Sequence, residues 1–204
     1  MKQTERSELT RKKILSAALS EFGIRGYAGA MINEICREGK INKGLFYHHF
    51  SGKEDLYLAC LQQAVSHLSS WIDEHHAEEF LDAYMASRLA FYEAYPEESR
   101  VIYEALFLAD REIYDRVQEI LEPISSQNAA LFEKTIAGVK LRDGITKEKA
   151  MAYFALLEKM FNGYFAGPAM QRLDMKERIA LHEKTAPLVL EGMLFGIAEK
   201  EEKS

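Results

Sequence analysis

GKINKGLFYHHFSGKEDL, residues 39–56, sets three lysines, three aromatics and two adjacent histidines in eighteen positions of a chain whose net charge is −6. Two readings compete for it. His48 and His49 could begin a metal or catalytic site, or the segment could be a helix that reads nucleic acid. The metal reading is weak on geometry: ligands sharing one helical face need a separation of three or four, whereas adjacent residues point about 100° apart. His75-His76 repeats the defect, and neither pair has a carboxylate or cysteine at ligand spacing. No metal is expected.

The second reading accounts for every side chain. A short helix over about Met31–Glu38, a turn at Gly39–Ile41 and a second helix over Asn42–His49 make a helix-turn-helix. A recognition helix needs apolar residues behind it and small, polar or basic residues at its front. Ile41, Phe46 and Phe50 fall on the inward side. Asn42, Lys43, Gly44 and Leu45 are left to face base edges: Asn42 can pair with adenine, Lys43 can donate to guanine, and Leu45 can touch a thymine methyl. Tyr47 and His48, one turn on, are placed for backbone phosphates, as is Lys53 at the start of the next helix. Ser51 and Glu54 match a capping box that would open that helix at Gly52 and carry it to about His75.

Charge distribution agrees. Residues 1–56 hold ten Lys/Arg and seven Asp/Glu, hence +3; residues 57–204 hold sixteen and twenty-five, hence −9. A basic head sits on an acidic body, and attraction to DNA depends on where charge lies rather than on its total. Hydrophobic residues make up 48% and charged residues 28%, with 4 Pro and 12 Gly, which excludes collagen-like and disordered classes. Cys36 and Cys60 sit in helix-like patterns without metal-ligand spacing, so a reduced, cytoplasmic protein without disulfides is expected. The N-terminus lacks the apolar run of a signal peptide, and no stretch is long enough to span a membrane. No cofactor motif is present, and none is expected.

The apolar pattern recurs at three and four throughout, giving an all-α fold. A first helix covers Ser7–Gly23 and ends at Gly23 and Gly26; beyond the long fourth helix, others are predicted at 78–95, 97–108, 110–121, 124–139, 147–166 and 175–198. Pro96 and Pro123 serve as breaks, Thr146 as an N-cap, and Pro187 as a kink in the last helix. Two domains follow: a DNA-binding head, 1–51, and a larger helical body, 52–204.

The ordered set Gly26-Tyr27, Ile35, Ile41, Lys43-Gly44, Phe46-Tyr47, His49-Phe50 and Lys53-Glu54-x-Leu56 resembles the helix-turn-helix domain of the tetracycline-repressor-like (TetR) family over about residues 9–58. The resemblance implies a helical ligand-binding and dimerisation domain after the reader, and an effector that alters the separation of two heads on a DNA operator. Two departures stand out. Ala30-Met31 replaces the hydroxyl residues that open the family's second helix, and Gly39-Lys40 replaces the Ala-Gly of its turn, which leaves Lys40 for phosphate.

In the body, the helix over 147–166 has a bulky stripe of Tyr153, Phe154, Leu157, Met160, Phe161 and Tyr164, and a small face of Ala152, Leu156, Lys159 and Gly163. The last helix is also two-faced, with Leu181, Thr185, Leu188, Gly192 and Phe195 opposite Ala186, Val189, Leu190, Met193 and Ile197. Two such helices make a seam for a homodimer, with Ala152, Leu156, Gly163, Leu181, Leu188 and Gly192 at the interface. Arg88 lies mid-stripe among aromatics and needs a partner. It either pairs with a carboxylate of its own chain or awaits an anionic group of an amphipathic small-molecule effector. The second reading builds a pocket from Arg88 with Trp71, Tyr84, Phe91, Tyr103 and Phe107.

The sequence therefore points to an effector-responsive transcriptional regulator that binds double-stranded DNA as a homodimer, a repressor released by its ligand. An enzyme would require a nucleophile-base or carboxylate pair that does not stand out. A helical protein-interaction adaptor is the alternative, and it leaves the basic head without a purpose.

Overall fold

The computed structural model describes residues 3–75, 80–107 and 113–198, and these are helical almost throughout, with no strand among them. The nine described helices are α1 (Gln3–Gly29), α2 (Ile32–Glu38), α3 (Lys43–His49), α4 (Lys53–Glu74), α5 (Leu81–Ala94), α6 (Pro96–Leu106), α7 (Tyr114–Ala137), α8 (Lys147–Ala166) and α9 (Met175–Ile197). A single 3-10 turn, Met170–Arg172, joins the last two. The expected helix start at 78, the break at 108–110 and His76 lie outside the described residues.

Helix α1 passes through Gly23 rather than ending there. Gly23 lets α6 come close: a Cβ on it would lie 2.5 Å from the Cβ of Glu97. The helix breaks at Gly26, whose φ of 71° and ψ of 173° are left to glycine. Its apolar face, Ile14, Leu15, Ala18 and Phe22, enters one continuous core with Leu56, Leu61, Val101, Ile102 and Leu121, so head and body share packing through α4 and α6.

Pro123 does not separate two helices. It lies inside α7, where Val117, Leu121, Ile124, Leu131, Phe132 and Ile136 are all buried. The buried face stays in phase across the proline, and that packing outweighs the roughly 3 kcal/mol that an interior proline costs. Pro187 likewise sits within α9, on its exposed side. Thr146 caps α8 as expected, its side chain accepting from Lys149 N–H; Asp174 and Glu177 form a capping box on α9. The box expected from Ser51 and Glu54 does not form. Asp55 reaches back instead, accepting from the Ser51 backbone N–H at 2.9 Å, while Glu54 turns outward to Arg116 at 2.7 Å.

Candidate nucleic-acid interface and ligand cavity

The recognition helix is rooted as its sequence requires. Phe46 and Phe50 are buried, whereas Lys43, Gly44, Leu45, Tyr47 and His48 are exposed along one side of α3. Tyr47 is 56% exposed, so it stands free of the core. Asn42 also serves the helix itself. Its side-chain oxygen accepts from Leu45 N–H at 2.8 Å and caps α3, which leaves chiefly its amide NH2 for a base.

The turn places glycine and lysine in unexpected roles. Lys40, not Gly39, holds the left-handed conformation, with φ of 53°. Gly39 is needed for space: a Cβ there would lie 2.7 Å from Ile41 Cδ1 and 3.2 Å from the Ile35 carbonyl oxygen. Lys40 thus carries backbone strain of about 1 kcal/mol while projecting its ammonium outward. At the start of α2, Met31 offers no side-chain cap; the buried Glu21 carboxylate accepts its N–H at 3.3 Å instead.

Lys53 departs from expectation. Its ammonium donates to the Ala30 carbonyl at 3.1 Å and the Ala28 carbonyl at 3.4 Å, and stands 4.7 Å from the centre of the Tyr27 ring. These contacts turn it inward, where it ties the α1–α2 connection to α4, rather than toward phosphate. Tyr27 is held from the other side, its backbone N–H donating to both carboxylate oxygens of Glu104 at 3.0 Å. Glu104 belongs to α6, whose preceding residue, Tyr103, faces the body interior. Consecutive side chains of one helix therefore touch the head and the buried polar network of the body.

Arg88 finds its partner within the chain. Its Nη2 donates to Glu183 at 2.7 Å and to the Tyr103 hydroxyl at 3.0 Å, with side chains 13% and 3% exposed at the arginine and the glutamate. Tyr103 also donates to Glu183, and His182 Nδ1 lies 3.0 Å from the same carboxylate oxygen. Burial pushes the Glu183 carboxyl up, but Arg88, His182 and Tyr103 override it and hold it at about 2. Burial keeps His182 below its usual value, and therefore neutral at neutral pH. The positive charge of Arg88 is thus already compensated, so the reading of Arg88 as a receptor for an anionic ligand is replaced by an internal ion pair.

A cavity does lie beside this pair. It is bounded by α5, α7, α8 and α9, with about 80 Å³ of room for the centres of water molecules, several times what one water needs. Tyr84 and Arg88 line it, as expected. Trp71, Phe91, Tyr103 and Phe107 do not. Trp71 and Phe91 pack with His67 and Tyr95 against the shared core, and Tyr103 and Phe107 pack with Phe165 and Ile179. Phe91 and Tyr103 line, with Arg88, only a separate and smaller pocket, and the spacing of Trp71 and Phe107 identified packing. The polar lining that the sequence did not reveal comes from Asn128, Glu158, Asn162 and His182. A signal existed: His182 and Glu183 fall in phase with Ile179 and Ala186, and Glu158 with Phe154, Phe161 and Phe165, as Arg88 does on α5.

The outer faces of α8 and α9 are apolar and uncovered. Leu156 is 58% exposed and Leu188 61%; Ala152, Gly163 and Gly192 are exposed with them, and Leu181 is half-buried. A Cβ at Gly163 or Gly192 would meet nothing within 4 Å. Tyr153, Met160 and Tyr164 of the bulky stripe of α8 join this outer face. The stripe is wide enough to wrap around the helix, and only Phe154, Leu157 and Phe161 of it turn inward.

Residues 14–60 match the profile of bacterial regulatory proteins, tetR family. The N-terminal domain is thus of the tetR type. Among curated proteins it is 32% identical over 98 residues to the HTH-type transcriptional repressor SCO4008 of Streptomyces coelicolor, a match covering 47% of this chain and 49% of that protein. The match thus spans about half of the relative's length. Beyond the head, likeness is one of fold. A TetR family transcriptional regulator from Chloroflexus aurantiacus superposes with a TM-score of 0.58 at 20% identity, over 95% of both chains. FadR from Bacillus subtilis, solved in complex with stearoyl-CoA, gives 0.62 at 16% identity over 91% of this chain and 98% of that one. The tetR helix-turn-helix and the helical body behind it are thus both present.

No group of three or more potential metal ligands occurs among the described residues, and none of the described helices is long and apolar enough to cross a membrane. Both cysteines are buried and free, and burial pushes the Cys60 thiol up to about 12.

Proposed function

We propose that this chain is a cytoplasmic, effector-responsive transcriptional regulator, a repressor that binds a palindromic operator as a homodimer and leaves it when a small molecule enters the body. The observation that carries the reading is the exposure of Lys43, Gly44, Leu45, Tyr47 and His48 on a helix whose rear face is buried, inside the tetR match. On this reading Lys43 and Leu45 read base edges, Asn42 contributes through its amide, and Lys40, Tyr47 and His48 grip phosphates. Lys53 supports the reader from behind. No chemical step is assigned to any residue.

The uncovered face of α8 and α9 supports the dimer. Leu156, Met160, Leu188 and Phe195 are large apolar side chains exposed on these two helices, the kind of surface that association covers. A two-fold axis through that seam brings two heads to one face of the duplex. The cavity beside Arg88 supports the effector, and α6 supports coupling, since Tyr103 and Glu104 join the buried network to Tyr27 of the head. A ligand that favours one arrangement of this network shifts the separation of the heads; one with equal affinity for both shifts nothing.

Fluorescence anisotropy on a duplex, over a range of salt, tests the reading. Binding should weaken steeply with salt, by about 0.9 in log K per log salt for each phosphate neutralised. Lys43→Ala should cost about 1–3 kcal/mol on a preferred site without changing stability. A helical adaptor would show no salt-dependent binding to duplex at all, which is the outcome that removes the proposal.

A further inference from the structure

The cavity contains one carboxyl group without a counter-charge. Glu158 accepts one hydrogen bond, from the Asn128 side-chain amide at 2.6 Å, and the Asn128 oxygen is itself occupied by the Tyr84 hydroxyl. Among the described residues no lysine, arginine or histidine pairs with it, because Arg88 is committed to Glu183. His182, the other basic group on the wall, is neutral, engaged with Glu183 and Asn162. Burial pushes the Glu158 carboxyl above its usual range, against the opposing pull of Asn128, Arg88 and Lys159. Around it the lining is apolar and aromatic: Phe132 and Phe154 stack at 4.5 Å, and Phe161 and Tyr84 stand nearby. Glu158 and Asn162 also line a wider groove between α7 and α8, so the carboxyl sits where the cavity meets the surface.

We infer that the effector is an amphipathic organic cation, its protonated nitrogen paired with Glu158 and its apolar body held among Phe132, Phe154 and Phe161. The inference rests on the reading of this cavity as the effector site. A partly buried carboxylate is costly unless an opposite charge meets it. A cation supplies that charge at a distance where a charge-assisted hydrogen bond forms, and the aromatic faces around it attract the same charge. A carboxylate or phosphate head would instead face Glu158 with like charge, and the guanidinium that could offset it is already occupied. The sign is thus the reverse of what Arg88 alone implies.

Three probes that differ only in their head separate the possibilities: octylammonium, octanol and octanoate, titrated by calorimetry at pH 7 into the full-length protein. The expected order is octylammonium tightest, octanol next and octanoate weakest. Glu158→Gln keeps the oxygen that accepts from Asn128 and should weaken octylammonium by about tenfold or more while leaving octanol within about twofold. Octanoate binding as tightly as octylammonium to the unmodified protein overturns the inference without any variant, as does an octylammonium affinity that Glu158→Gln leaves unchanged. If octanol and octylammonium both fail to bind, the cavity is not a ligand site; the effector-site reading falls, and the inference falls with it.

Discussion

Replacing Arg88 with methionine should destabilise the body strongly, because it leaves Glu183 buried without its counter-charge. The Glu183 side chain is 3% exposed, and its Oε2 makes no hydrogen bond, so its charge depends on the groups around its other oxygen. Breaking a buried pair by removing one partner costs about 3–5 kcal/mol. The carboxyl held at about 2 by Arg88, His182 and Tyr103 together agrees in direction with that cost. Against a total stability of about 5–15 kcal/mol, it is a large fraction. The assay is urea unfolding followed by circular dichroism at pH 7 and a fixed protomer concentration, since association contributes to stability. Arg88→Met with Glu183→Leu should recover most of the loss, as an apolar pair of similar volume often equals a buried ion pair. The depressed carboxyl also sets a pH signature. Its contribution is complete above pH 4.5 and disappears as pH falls toward 2, so the natural protein should lose it over that window and the double variant should not. His182, held down by burial, adds a loss that begins as pH falls below 6.5. Arg88→Met unfolding within about 1 kcal/mol of the natural chain would refute the ion-pair account.

Lys40→Gly should raise stability by up to about 0.5 kcal/mol, less than the full strain because glycine frees the unfolded chain, and the melting point should rise by about 1–2 °C. Gly39→Ala should lower it, since the new methyl meets the Ile35 carbonyl and Ile41; if both variants leave the melting curve in place, the turn has been misread. Lys53→Met should lower stability by about 1–3 kcal/mol through loss of its bonds to Ala28 and Ala30, whereas Lys43→Ala should leave stability unchanged. Chemical denaturation of the two variants side by side checks that contrast. Leu156→Glu with Leu188→Glu should convert the proposed dimer to folded monomers in sedimentation; a natural chain already monomeric at micromolar concentration would contradict the seam.

The head was legible because local rules and tertiary context agree there. Phe46 and Phe50 at a four-residue spacing and the basic front of α3 each follow from period and side-chain type, whereas the division of roles between Gly39 and Lys40 in the turn does not. Thr146 was legible as a cap for the same reason. Pro123 was not, because whether a proline ends a helix depends on packing partners that its neighbours do not reveal, here the continuous buried face of α7. Lys53 and Arg88 show the same limit for charge. A lysine at a helix start fits a phosphate, and an arginine among aromatics fits an anion, until the fold brings the carbonyls of Ala28 and Ala30 or the carboxylate of Glu183 within 3.5 Å. The rest of the cavity wall was hidden for a further reason: Asn128, Glu158 and His182 come from three helices other than that of Tyr84 and Arg88, and no single helical period relates them.

The most direct test of the central claim is selection of bound duplexes from a pool of random sequence by the purified protein, followed by sequencing. The account predicts enrichment of an inverted repeat, two half-sites separated by a fixed number of base pairs, and loss of base preference within each half-site when the same selection uses Lys43→Ala. No enriched sequence, or a single unrepeated site whose preference survives Lys43→Ala, would contradict it.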